Sequence, residues 1–550
     1  YSNNGGHLTR SGKSRVVNII TRLRNEKGVQ TRLSSQFSAG HRSSSRQMAA
    51  LDVHHHRFDL FTQADIEHEG VHKHLTLNQQ KRLESYAAYG LDLSAGMNLH
   101  FSDNHTIGLQ YQYKDILNDI VQTPYELLGS IDPGDLTTNL GNRISDWRMH
   151  YAPRHDLNAY YRAHGRQWDL RMGASYYQDE ISLSDYQYNI LQPRHQQNDI
   201  RNRLGAVMAE GEYRMGRSRI NVSCEYSYTR REDTYRQFDA DLRSWRYRRQ
   251  HRASGLVSYG YLSDRWNVEA GLRGEAIHVF ELEKYLYPFV SLSVSGNRGS
   301  FSASYALHSA LPTYAQTDSY MHYNIEQLSV AGNPYLQRAR QHQFSIQAQQ
   351  GDFLLQGNYM HVTDYIAQYI DTRVERFSLN YKNVPQASVL DLSLLYTHTL
   401  GRWHTQASVS LYAQWLQCEF SGVTQSFNSP VATVVWHNQV RLPWQLTAFS
   451  DLSASTNGHR GTVWQESSAQ FDLGLNKSLG RWAFQLRVID LLHTARQNTT
   501  SYGNDVTYTR HCYADRQRIS LSLRYRFGSQ KLQRTYQGVN AGAAERERMK

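Results

Sequence analysis

In residues 518–527, RISLSLRYRF, every second position is apolar: Ile519, Leu521, Leu523, Tyr525 and Phe527 stand against Ser520, Ser522, Arg524 and Arg526. Period-two alternation predicts a β-strand with one greasy face and one wet face. The pattern recurs along the chain. In 403–415 one face is Trp403, Thr405, Ala407, Val409, Leu411, Ala413 and Trp415, and the other is His404, Gln406, Ser408, Ser410, Tyr412 and Gln414. Roughly twelve steps of about 3.3 Å, tilted near 40°, rise about 30 Å, slightly more than the ~25 Å apolar band of an outer-membrane barrel. Trp403 and Trp415 then fall at the two interfaces, where aromatic girdles belong. The stretches 168–176, 266–276 and 481–488 alternate in the same way, led by Trp168, Trp266 and Trp482.

Which way such strands are mounted follows from their wet faces. Glu269, Arg273 and Glu275 lie on one of them. A packed soluble core cannot bury such charges without pairing each, whereas an aqueous lumen can hold them. The connections also alternate in length. Tight links with turn residues occur at 102–105, 216–219, 262–265, 296–299, 400–403 and 479–482. Long polar stretches occupy 114–142, 178–199, 230–246, 309–338, 417–430 and 494–504. Short turns at one end and long loops at the other is the asymmetry of outer-membrane barrels. The expectation is an all-β chain: a large transmembrane antiparallel β-barrel of about 22 strands. Its greasy faces meet lipid, with Trp266, Trp403, Val409, Trp415 and Trp482 on the lipid side or in the girdles. A soluble repetitive β protein such as a propeller would have shorter strands and a more uniform repeat.

Composition changes this picture little. No run of about 18 apolar residues occurs, so no transmembrane helix is expected. The mean hydropathy of −0.66 is compatible with a membrane barrel, because half of each strand is polar. The 10 prolines among 550 residues suit long paired strands, where backbone N–H groups are needed. The net charge of +11 comes from basic residues spread singly through the strands, which argues against nucleic-acid binding and for wetted faces and lipid headgroups. Cys224, Cys418 and Cys512 are far apart and form no CxxC pair, so neither a zinc site nor a redox motif is indicated.

Several stretches resemble the barrel of TonB-dependent outer-membrane receptors, in the branch near the SusC-like transporters. SRVVNIITRLRN (14–25) is similar to the end of that family's plug domain, with Ser14 and Arg15 where a small-residue pair is usual. AGNPYLQ (331–337) resembles its Gly-Asn-Pro-x-Leu element, carried here by Gly332, Asn333 and Pro334. RVIDLLHTAR (487–496), with Asp490, resembles a late segment, and YRFGSQ at 525–530 resembles the final strand. The resemblance implies three parts: 1–27 as the end of a plug, 28–527 as the barrel and 528–550 as a polar, disordered periplasmic tail. It also implies a Gram-negative outer-membrane location. Outer-membrane lipid, an upstream plug, TonB and a surface lipoprotein are the implied partners.

The implied function is import of a nutrient ligand of the glycan, peptide, siderophore or haem class. The alternative is a non-transporting barrel that serves as scaffold or partner of a surface lipoprotein. Tyr320 and Tyr323 are loop aromatics placed to stack on a planar ligand or to brace the loop. His54, His55 and His56 are the candidate metal or haem ligands, but they sit at a tight turn with no Cys or carboxylate at ligand spacing. No GxSxG or tight His–Ser arrangement suggests an enzyme, and no cofactor is expected.

Overall fold

In the computed structural model the alternating segments form one closed barrel of 22 antiparallel strands. The structure describes residues 27–77, 80–124, 145–188, 194–238, 241–279, 281–318, 321–325, 328–373, 376–504, 506–514, 516–528 and 541–549. Strands pair mainly with their neighbours in sequence. Ser218–Gln237, for example, pairs along its length with Arg194–Met215 and Leu242–Leu262. The ring closes where the first strand, Gly28–Ala39, meets the last, Arg518–Gly528, in register from Gln30↔Gly528 to Ala39↔Ile519. Closure leaves the barrel no unpaired edge, as lipid requires.

The tight links named above fall at one end, where every connection is short; at the other end the connections range from short, as between Ala39 and Ser44 or His278 and Leu282, to long. Gly216, Gly351, Gly401 and Gly480 take φ of +59°, +54°, +58° and +59° at the short-turn end, the left-handed conformation that glycine adopts without a Cβ penalty. Gly28 pairs with His54 beside the turn at 55–57, so both ends of the barrel strands lie at this end. Short turns identify it as periplasmic.

Side chains alternate as the pleat demands. Trp266, Trp403, Val409, Trp415 and Trp482 are exposed on the outer face. The polar handles of the tryptophans near one rim are paired: Trp403 Nε1 donates to Asn438 Oδ1 (3.3 Å) and Trp436 Nε1 to Thr405 Oγ1 (3.0 Å). On the last strand Ile519, Leu521 and Phe527 are exposed outward, while Ser520 is buried and bonded to Ser38 (3.0 Å) across the seam.

The structure corrects the sequence reading at three places. First, much of what reads as loop is strand. Residues 114–124 end the strand His105–Pro124, 178–188 end Trp168–Tyr188, and 230–237 with 242–246 extend the next hairpin. Beyond the bilayer the outward face no longer meets lipid and the inward face carries paired polar groups, so the apolar alternation fades while the ladder continues. Second, Glu269, Arg273 and Glu275 are not merely hydrated. Each is buried and each has a partner of opposite charge. Third, the polar tail is not wholly irregular. A four-residue helix α1 (Tyr314–Thr317) follows the strand Gly299–Ala310, and a helix α2 (Ala543–Met549) lies where disorder is expected, with Glu545 and Met549 buried. Residues 1–26, the expected plug remnant, lie outside the described residues.

Candidate functional site

The inward faces of Ser218–Gln237, Leu242–Leu262 and Trp266–His278 carry guanidinium and carboxylate groups in ladder positions. Arg231 is buried between Asp233 (2.9 Å) and Asp318 (2.8 Å), the latter just past α1. Arg248, cross-strand from Arg231, donates to Thr317 Oγ1 (2.9 Å). Both cations lie over the Tyr314 ring, at 5.2 and 5.5 Å. Thr313 and Gln316 cap α1 reciprocally, which fixes Tyr314 and Asp318 at the lumen wall. Burial raises the Tyr314 hydroxyl above the usual phenol range.

A second group adjoins it. Glu275 pairs with Arg252 and faces Arg338 (3.4 Å) and Arg273 (3.8 Å). Arg338 donates to Tyr287 Oη (2.9 Å) and lies 3.8 Å from the centroid of Tyr285; Arg273 lies over Tyr287 at 5.1 Å. With Glu545 and Arg548, which reach the same wall, the two groups hold seven guanidinium groups (Arg231, Arg246, Arg248, Arg252, Arg273, Arg338, Arg548) against five carboxylates (Asp233, Glu275, Glu283, Asp318, Glu545). Such a surface attracts anions; Tyr287 and Tyr314 are buried beneath its guanidinium groups, and Tyr285 stays partly exposed. From Trp266 to Glu275 the strand rises roughly 23 Å at about 3.3 Å per residue and 40° tilt, which places the site toward the extracellular end.

Loops fold inward over that end. Leu416, Cys418 and Phe420 turn into the lumen and pack against Phe427, which is fully buried. The Phe427 ring meets those of His459 (5.4 Å) and Tyr502 (5.6 Å), and His459 meets Trp464 (4.9 Å). Gln414 ties two loops together: its Nε2 donates to Phe427 O (2.6 Å) and Gly461 O (2.7 Å), and its Oε1 accepts from Gly461 N (2.8 Å). Burial holds His459 below the usual imidazole range. The hairpin Arg496–Gly503/Val506–Ala514 bridges the mouth. One side pairs with Phe58–Leu77 (Arg510↔Leu77), and its tip meets Phe353–Arg373 (Gly503↔Ile370) nearly opposite in the ring. A Cβ on Gly503 would lie 1.4 Å from Ile370 O, so only glycine allows this approach.

The expected site residues are scattered. Tyr320 lies outside the described residues, and Tyr323 pairs with Ser329 in a short hairpin. Asn333 builds its turn: its N donates to Gln316 O (2.7 Å), its Nδ2 to Tyr381 O (3.0 Å), and its Oδ1 accepts from Tyr335 N (3.0 Å). Gly332 sits against Asp318 and Ala315, and Pro334 leads into Ala339–Gln350. Asp490, fully buried at φ +50°, accepts from Thr494 N (3.0 Å) and Ala495 N (3.3 Å) at the start of the bridging segment. These four are turn builders, with no chemistry of their own. His54 is bonded to Asp59, which His100 also reaches (2.9 Å); His55 stacks on Phe58 at the periplasmic turn. Among the described residues no three His, Cys, Asp or Glu side chains converge to hold a metal ion. The arginine–tyrosine cluster was not singled out from the sequence. Its one visible signal is the close spacing of Arg246, Arg248, Arg249 and Arg252.

Comparison with known proteins decides the family. The model of the outer membrane protein beta-barrel family matches residues 165–525. The chain belongs to that family. It is therefore a protein of the Gram-negative outer membrane, and its outward faces meet lipid. No curated protein matches the sequence. Among solved structures the fold resembles the siderophore receptor PirA of Pseudomonas aeruginosa, at 10% identity and TM-score 0.59, covering 92% of this chain and 81% of that one. It also resembles the copper transporter OprC, at 12% identity and TM-score 0.65 with 92% and 83% covered. The FrpB iron transporter of Neisseria meningitidis aligns at 13% identity and TM-score 0.58, with 91% and 82% covered. At such identities the likeness is one of fold.

Proposed function

We propose that this chain is the barrel of a TonB-dependent import receptor and that its ligand carries an anionic group. The observation that supports the reading most is the surplus of guanidinium groups, interleaved with Tyr285, Tyr287 and Tyr314, beneath a mouth crossed by the barrel's own hairpin. A cluster that keeps more cations than carboxylates favours an incoming anion, and the partly exposed Tyr285 adds contact area. The similar structures, a siderophore receptor and iron and copper transporters, fit the import of scarce nutrients. The proposal requires an upstream plug and TonB as partners, and it requires no catalysis.

The test is uptake by cells expressing the full gene. Labelled siderophores, haem, acidic peptides and acidic glycans are offered with and without an uncoupler of the proton-motive force. Arg248→Glu is the variant to compare, because it reverses one charge without removing a carboxylate's direct partner. The expected result is energy-dependent uptake of an anionic member, reduced about tenfold or more in the variant, as for loss of one charge-assisted contact. Uptake that ignores the uncoupler, or that is equal in the variant, contradicts the proposal.

A further inference from the structure

The lumen face of Arg194–Met215 departs from the polar rule of its neighbours. Leu204, Ala206 and Met208 point inward and are buried, while Val207 and Tyr213 between and beyond them are exposed outward. An apolar ledge on a water-facing wall is a cost unless something covers it. What covers it is the C-terminal segment: Ala541 and Met549 join Leu204, Ala206, Met208, Tyr177 and Tyr314 in one buried cluster. A Cβ on Gly542 would come within 2.9 Å of Ala206 and Leu204, so the segment's backbone rests directly on the ledge.

Charges fix the orientation. Glu545, 1% exposed, accepts from Arg252 Nη1 (2.8 Å) and from Arg548 Nη1 (2.9 Å). Arg252 is shared with Glu275, so Glu545 supplies a second carboxylate to the cation-rich wall. Arg546 pairs with Asp156 on another strand, and Arg548 also donates to Gln250 Oε1 (2.9 Å) and Pro312 O (3.2 Å). Three charged residues, Glu545, Arg546 and Arg548, and two apolar anchors, Ala541 before the seven-residue helix and Met549 at its end, exceed what a free tail makes by chance, since an isolated helix this short does not persist in water.

We propose that the ledge and Arg252 form a docking site for a short peptide with an acidic residue between apolar anchors. The chain's own residues 541–549 are its resident occupant. The tail is thus a tethered lumen ligand, and a solute that uses the neighbouring guanidinium cluster meets it.

The test is amide hydrogen exchange read by mass spectrometry on the full chain folded in lipid vesicles, against a free synthetic peptide of residues 541–549. The expected result is exchange of this segment about tenfold or more slower in the protein than in the free peptide. Glu545→Arg, which puts a cation against Arg252, and Ala206→Trp, which fills the ledge, should each return the segment to the free rate while the strand amides stay protected. Equal exchange in the wild-type protein and the free peptide, with the strands protected, overturns the proposal whatever the variants do. So does protection that survives both substitutions.

Discussion

Single residues report which face meets lipid. Val409 is 52% exposed on the outer face, and Ser408 turns inward. Val409→Arg near the middle of the bilayer should destabilise the barrel by about 2–4 kcal/mol, and Ser408→Arg by little. Urea unfolding from lipid vesicles measures both, and equal losses would contradict the assignment. Gln414 makes a different test. Its buried amide holds the 427 and 461 backbones together, so Gln414→Leu leaves those groups unpaired at a cost of about 1–3 kcal/mol. Faster hydrogen exchange in 421–430 and 458–465, with the strand 403–415 unchanged, is the expected outcome.

At the scale of elements, the bridging hairpin depends on contacts that are local and few. Gly503→Ala cannot keep its approach to Ile370 O. It should detach the tip from Phe353–Arg373 and raise protease cleavage within 499–506 on intact cells, leaving heat-modifiable gel mobility unchanged. The mouth should also sense pH. Burial lowers the His459 imidazole, so the stability tied to its neutral form is fully present above the ordinary value of about 6.5 and is lost as pH falls below it toward the group's lowered value. Exchange in 458–465, corrected for its intrinsic rate, should be faster at pH 5 than at pH 7, and His459→Gln should remove the difference.

These elements also mark how far the sequence could be read. The strands at 168–176, 266–276, 403–415 and 518–527 were legible because one face meets lipid and one meets water. The tight turns were legible from Gly, Asp and Asn. The outer halves of the strands were not, since 178–188 and 230–237 carry polar residues on both faces, even where Asp179, Arg231 and Asp233 turn out to be buried inside the barrel. The bridging hairpin and α2 were hidden for a further reason: Gly503 and Glu545 find their partners, Ile370 and Arg252, far away in the chain. Leu204 and Met208 on a lumen face were the one local sign of an occupant.

The whole molecule rests on closure. A polar lumen, a greasy exterior and a bridged mouth all follow once the first strand meets the last. Ser38 and Ser520 are directly opposite at that seam, both buried on the inner side with hydroxyls 3.0 Å apart. Directly opposed residues in an antiparallel pair have Cα atoms about 4.5–5.5 Å apart, within reach of a disulfide. The decisive measurement is oxidative cross-linking of Ser38→Cys with Ser520→Cys in the outer membrane, on a Cys224→Ala background. Closure predicts an intramolecular disulfide in nearly every folded chain, seen as a reduction-sensitive shift on denaturing gels. A folded barrel whose two cysteines stay free, or cross-link only between chains, would contradict it.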